Sequence, residues 1–253
     1  MVTSNRKALV GASATALCTA AYLVPYFHLS TWWRFIPSTG IILLAGAVVF
    51  RGGALRFFGL QLTARDVVTT LALFGLALLA SHYVLSSYVA TYLEVVGAPT
   101  ARARVHQFFQ VLNDELVMRA ALLTLVLGVM PRPKVAIVSL AILFAVAHWL
   151  FYGLGGVALE PSTLLTLFAL GVIGNTLFVA YGHIGYGLAL HYAWNFYRFN
   201  TRYYLDGHRL REGETFNYIE GNAWVLGVSM ILMLLVFSAY VRWGRRSSPA
   251  PVA

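Results

Sequence analysis

Three ionisable residues stand together inside an otherwise apolar stretch: Asp114, Glu115 and Arg119, in Asn113-Asp-Glu-Leu-Val-Met-Arg119. A second apolar run carries His148, and a third carries His191 and Asn195. A charged side chain at the centre of a membrane helix costs about 2.5–3.5 kcal/mol on insertion scales, so such groups mark functional sites. Spacing assigns them. Glu115 and Arg119 are four apart with the acid first, the favourable ion-pair orientation. Asp114, one residue back, points roughly 100° away. His191 and Asn195 share a helix face, and Phe144 lies one turn before His148, placed to pack beneath its ring. A carboxylate and a histidine can deprotonate a water. A histidine and an asparagine amide can donate to a developing oxyanion. Together they suit hydrolysis with no protein nucleophile. Each group also has a structural alternative: the ion pair as a staple, a histidine as a helix bridge, an asparagine as glue. Asn175 reads as glue. Ser81, Ser86 and Ser87 lie beside His82 without a nearby acid, and His28, His82, His106, His183 and His208 are assigned no role.

The elements that must carry these groups are membrane helices. Of 253 residues, 59% are hydrophobic and 11% charged, against about 25% charged in an ordinary soluble domain. Mean hydropathy is +0.73. A soluble fold cannot hide that much apolar surface, and disorder, collagen, coiled coil and a disulfide scaffold are excluded. One cysteine, Cys18, permits neither a disulfide nor a cysteine metal cluster. A bilayer core needs about 20 apolar residues per helix. Eight segments qualify, two of them marginally: 8–27, 33–50, 66–89, 105–129, 135–154, 162–181, 184–196 and 223–243. The second is expected to break at Pro37 and Gly40. The expectation is an all-α polytopic membrane protein of about eight transmembrane helices. It forms one domain over 1–246, followed by a disordered tail, 247–253. The first segment is too long for a signal peptide and reads as a retained span. The net charge of +9 falls in short connectors, the membrane-protein pattern rather than that of a nucleic-acid binder. Basic residues slightly favour an orientation with both termini cytoplasmic. The Arg-rich, Lys-poor composition suits a GC-rich genome, and the expected location is a bacterial inner membrane.

The three polar runs, in order on successive hydrophobic helices, resemble the motifs of the CPBP intramembrane proteases, which include the CAAX prenyl endopeptidases. Asp114-Glu115-x-x-x-Arg119 is similar to the family's Glu-Glu-x-x-x-Arg, Phe144 to His148 matches Phe-x-x-x-His, and His191 to Asn195 matches His-x-x-x-Asn. The resemblance covers about 104–199. It implies an intramembrane endopeptidase acting on a membrane-anchored protein or peptide in the lipid bilayer. By the family's pattern, Asp114 and His148 activate water, His191 and Asn195 stabilise the oxyanion, and Glu115 and Arg119 support the helices. The myxosortase branch, which trims sorting segments of surface proteins, is its narrower implication.

One position departs from the pattern: Asp114 stands where the family has glutamate. A carboxylate withdrawn by about 1 Å can lose about 100-fold in rate. Three outcomes are open: a closer helix lets Asp114 act, Glu115 takes the base role, or the chain is a non-catalytic binding or immunity protein. A proton-relaying transporter is a further class. No cofactor is required. Zinc on two histidines and a carboxylate is the rival chemistry, although no His-Glu-x-x-His helix is present. Helix depth places the site at the midplane or nearer the outer leaflet. A cavity opening outward or to lipid is therefore expected, with the polar loop 198–222 either over its mouth or a solvated connector.

Overall fold

The computed structural model describes residues 35–50, 53–97, 100–130, 132–198 and 202–243. The expected first span, Cys18 and His28, and the expected tail lie outside these residues.

Helix α1, Phe35–Phe50, is continuous. The break expected at Pro37 and Gly40 does not occur. Pro37 falls in the first turn, where a backbone N–H would have no intrahelical acceptor anyway. A short α2, Ala54–Phe57, follows. Helix α3, Ala64–Tyr83, opens on a capping box: Thr63 accepts from Asp66 N at 3.2 Å, and Asp66 Oδ2 accepts from Thr63 N at 2.9 Å. The helix winds on through π and 3₁₀ turns to Thr91. Helix α4, Ala101–Asp114, starts at the Thr100 cap. It passes at Glu115 into a π-helical stretch, Glu115–Leu123, and resumes as α5, Thr124–Val129. Prolines in the first turn start α6, Pro133–Leu154, and α7, Pro161–Tyr181, where the missing donor is harmless. Then come α8, Gly185–Arg198, α9, Glu212–Ile219, and α10, Ala223–Trp243.

Among the described residues four helical runs are long and apolar enough to cross a bilayer: 64–91, 133–154, 161–181 and 223–242. The protein is an integral membrane protein of nearly all-α fold. The fourth expected span is helical but too polar to qualify, because it carries the ionisable cluster. The seventh is helical but only 14 residues long. The count of eight is therefore not reached among the described residues.

Helix α7 is the centre of the packing, with α6, α8 and α10 against it, while α3 lies along α8. The buried face of α7 is built from small and polar residues, among them Thr163, Thr166, Gly171 and Thr176. Small residues let membrane helices approach closely where no hydrophobic drive exists between them. A Cβ at Gly171 would come within 3.0 Å of Ala141 Cα on α6. Asn175 Nδ2 donates to Ile137 O at 3.0 Å, across to α6, the gluing role its sequence context predicts. The outward faces of α3 and α10 are apolar and exposed, including Leu71, Leu79, Ile231 and Leu235, as a lipid-facing surface should be.

The polar loop is not an unstructured connector. It contains strands β2, Arg202–Leu205, and β3, His208–Arg209, and then α9. With β1, Glu94–Val96, the strands form a small antiparallel sheet in the order β1-β2-β3, pairing Val95 with Tyr203 and Leu205 with His208. The hairpin turns on Asp206 and Gly207, both at positive φ, the conformation that Asp-Gly favours in two-residue hairpins. Under the sheet, Leu85, Val89, Leu93, Tyr203 and Ile219 form a cluster that also receives Trp194 of α8.

Candidate active site

Helix α4 is pinned to α1 just before the ionisable cluster begins. Ser38 Oγ donates to Asn113 Oδ1 at 2.9 Å, and Asn113 Nδ2 donates to Phe109 O at 2.8 Å and to Thr39 Oγ1. The π-helical stretch then packs Leu116, Val117 and Ala120 against Ile42 and Phe58. π turns are frequent at functional sites, and this one starts at Glu115.

Glu115 is fully buried, and Arg119 is 4% exposed. Glu115 Oε1 accepts from Arg119 Nη1 at 2.5 Å and lies 2.9 Å from His191 Nδ1. Facing a carboxylate that is ion-paired to a guanidinium, His191 Nδ1 must be the donor. Its Nε2 is then the nitrogen left for chemistry. On α6, His148 Nδ1 lies 2.8 Å from Phe144 O. A carbonyl only accepts, so Nδ1–H donates here too, and the Nε2 lone pair is available as a base. Phe144 joins the two histidines. Its ring centroid is 4.4 Å from that of His148 and 6.4 Å from that of His191, and the Arg119 guanidinium lies 5.4 Å from it.

The structure thus brings Glu115, Arg119, Phe144, His148 and His191 into one contiguous network. Asp114, half-buried, is the last residue before the π-helical stretch. Asn195, 7% exposed, follows His191 by one turn of α8. These two flank the network through their helices. Helix α8 is held in place by Tyr192, whose hydroxyl donates to Arg104 O at 3.1 Å and whose ring stacks on Phe74 at 5.5 Å.

Two glycines admit this geometry. A Cβ at Gly187 would lie 2.8 Å from Glu115 Oε2, and one at Gly174 would overlap the Arg119 guanidinium at Nε. Gly187→Ala is therefore expected to destabilise the protein by about 1–3 kcal/mol through overpacking. It is also expected to lower kcat about 100-fold by displacing the Glu115–His191 pair. Thermal melting and turnover assays in detergent check both, and wild-type behaviour in both would contradict the close approach.

Several contributors have no signature in the sequence. From α9, the Phe216 ring lies 6.3 Å from His148 and 4.8 Å from Tyr152. The Arg198 guanidinium sits 3.7 Å over Phe216. Arg198 Nε and Trp194 Nε1 both donate to Glu220 Oε1, the latter at 3.1 Å. Burial pushes the Glu220 carboxyl above the ordinary carboxylate range, and Arg198 and Trp194 pull it back.

Other candidates are accounted for locally. Ser81 and Ser86 spend their hydroxyls on the carbonyls of Ala77 and His82, each at 2.7 Å. His183 is buried at the start of α8, its Nε2 3.5 Å from Asp66 Oδ1. Among the described residues no three His, Cys, Asp or Glu side chains converge in a metal-ligand arrangement.

Residues 98–197 match a family model described as Type II CAAX prenyl endopeptidase Rce1-like. The matched segment contains all three motifs and α4 through most of α8, under half of the chain. No curated protein and no solved structure matches.

Proposed function

The match over residues 98–197 supports membership of the CPBP family, and on that premise we propose that this integral membrane protein hydrolyses a peptide bond in a membrane-anchored substrate. The contact that carries the reading is His191 Nδ1 to Glu115 Oε1, 2.9 Å, because it joins the third motif to the first. In this reading Asp114 and His148 activate the water. His148 is suited to the task because its Nδ1–H is committed to Phe144 O, leaving Nε2 to accept the proton. Asp114 is half-buried, whereas Glu115 is fully enclosed. That difference supports Asp114 as the water-contacting acid and Glu115 as a positioning residue. His191 and Asn195 receive the oxyanion. To donate from Nε2, His191 must hold a second proton, and the Glu115 carboxylate opposite Nδ1 is its counter-charge. Arg119 neutralises Glu115 in turn, and Phe144 spaces the two imidazoles. The reading needs no cofactor. The basic-residue distribution slightly favours a cytoplasmic side for both termini, and the Arg-rich, Lys-poor composition fits a bacterial inner membrane.

The test is the purified full-length chain in detergent, assayed on fluorogenic and membrane-anchored peptides, some prenylated and some carrying a C-terminal sorting segment. Removing one oxyanion donor typically costs about 100- to 1,000-fold, and a general base contributes on a comparable scale. Asp114→Ala is expected to be inactive and Asp114→Glu active. Full activity in Asp114→Ala, with loss in folded Glu115→Gln, would transfer the base role to Glu115. Activity abolished by a chelator and restored by zinc would replace the metal-free mechanism. A wild type inert on all peptides would favour a binding or immunity protein that retains the protease fold.

A further inference from the structure

Glu220 lies outside the three motifs and outside the matched segment, yet it is tied to the helix that carries the third motif. It is 1% exposed and its partner Arg198 is 2% exposed. Its Oε1 accepts from Trp194 Nε1 and from Arg198 Nε. Those two donors flank Asn195, one immediately before it and one three residues after. The Glu220 backbone is itself anchored, its carbonyl accepting from Thr166 Oγ1 of α7 at 2.7 Å. A rotation of α8 about its axis would break both donors' bonds to one oxygen. The same guanidinium lies 3.7 Å over Phe216, whose ring is 6.3 Å from His148. The Arg198–Glu220 pair therefore touches the oxyanion helix directly and the base side through one aromatic ring.

We propose that Glu220, through Arg198 and Trp194, is a positioning residue that fixes the rotation of α8 and so aims His191 and Asn195 at the oxyanion. The proposal rests on the hydrolytic reading given above. A buried ion pair is poor evidence for a stabilising role, since exchange for apolar residues of similar volume is often neutral. That exchange separates positioning from stability.

The experiment compares wild type, Asn195→Ala, the double variant Arg198→Met/Glu220→Met, and the triple variant, on the membrane-anchored fluorogenic peptide, with thermal melting of each. The double variant is expected to melt near wild type and to lose about 100-fold in kcat with KM nearly unchanged, the cost of misaimed groups. In the Asn195→Ala background the same exchange is expected to cost less, about tenfold, because one of the two groups it aims is already gone and residues acting as one unit are not additive. Glu220→Gln keeps an acceptor in place and is expected to retain more activity than the double variant, losing about tenfold. Wild-type kcat in the double variant overturns the proposal, as does an equal fold loss with and without Asn195. A double variant that fails to fold, beside Glu220→Gln at wild-type kcat, reduces Glu220 to a staple and also overturns it. An inert wild type removes the hydrolytic reading and the positioning role together. An active wild type impaired only by Asn195→Ala removes the positioning role alone.

Discussion

Glu115→Ala is expected to lower kcat by about 100- to 1,000-fold, the scale of losing the oxyanion donor that it holds and counter-charges. Two consequences combine. His191 Nδ1–H loses its acceptor at 2.9 Å, so nothing holds the ring with Nε2 toward the reaction. Arg119, 4% exposed, is left as a buried charge without its carboxylate. Breaking one partner of such a pair costs about 3–5 kcal/mol. A fall in melting temperature should therefore accompany the loss of turnover. Glu115→Gln preserves the shape and an acceptor oxygen, and it should melt higher than the alanine variant while remaining strongly impaired. Near-wild-type turnover in a folded Glu115→Ala would remove Glu115 from the mechanism altogether.

His148→Ala is expected to behave differently. It should lose about 100- to 10,000-fold in kcat, the contribution of a positioned general base, while melting close to wild type. The polar contact of its ring is local, to the carbonyl of Phe144 one turn away on the same helix. No buried charge loses its partner. The contrast is the informative part: one variant loses fold and rate, the other rate alone. Equal destabilisation in the two would show that His148 is a structural bridge. Full activity in His148→Ala would place the water-activating group elsewhere.

The polar network was legible because polarity is conspicuous in an apolar chain. Glu115, Arg119, His148, His191 and Asn195 announce themselves by composition, and the four-residue spacings correctly pair Glu115 with Arg119 and set Phe144 against the His148 ring. The helix positions followed from hydropathy to within a few residues for the apolar spans. The failures have physical causes. The π-helical stretch Glu115–Leu123 has no periodicity of its own that a 3.6-residue pattern would reveal. Gly174 and Gly187 matter only through the side chains opposite them on other helices, which a single chain cannot display. The loop 198–222 reads as solvated because it is charged, yet two of its charges, Arg198 and Glu220, are spent on each other in the interior. Its hairpin was readable, since Asp206-Gly207 follows Tyr203-Tyr204-Leu205. Its pairing with β1, about a hundred residues away in the chain, was not.

The nine π-helical residues also constrain how the gene can change. A π turn advances the chain with one residue more between bonded partners than an α turn. Loss of a single codon within 115–123 would let the segment close to ordinary α-helical winding, absorbing the missing residue with little turn between the helices on either side. A second loss has no such reserve: it would turn the downstream helix by about 100° relative to the upstream one. Leu116 and Leu123 are both locked in the interior, so the two ends could not then both keep their places. The helix that holds Glu115 and Arg119 has one letter to spare, and no second.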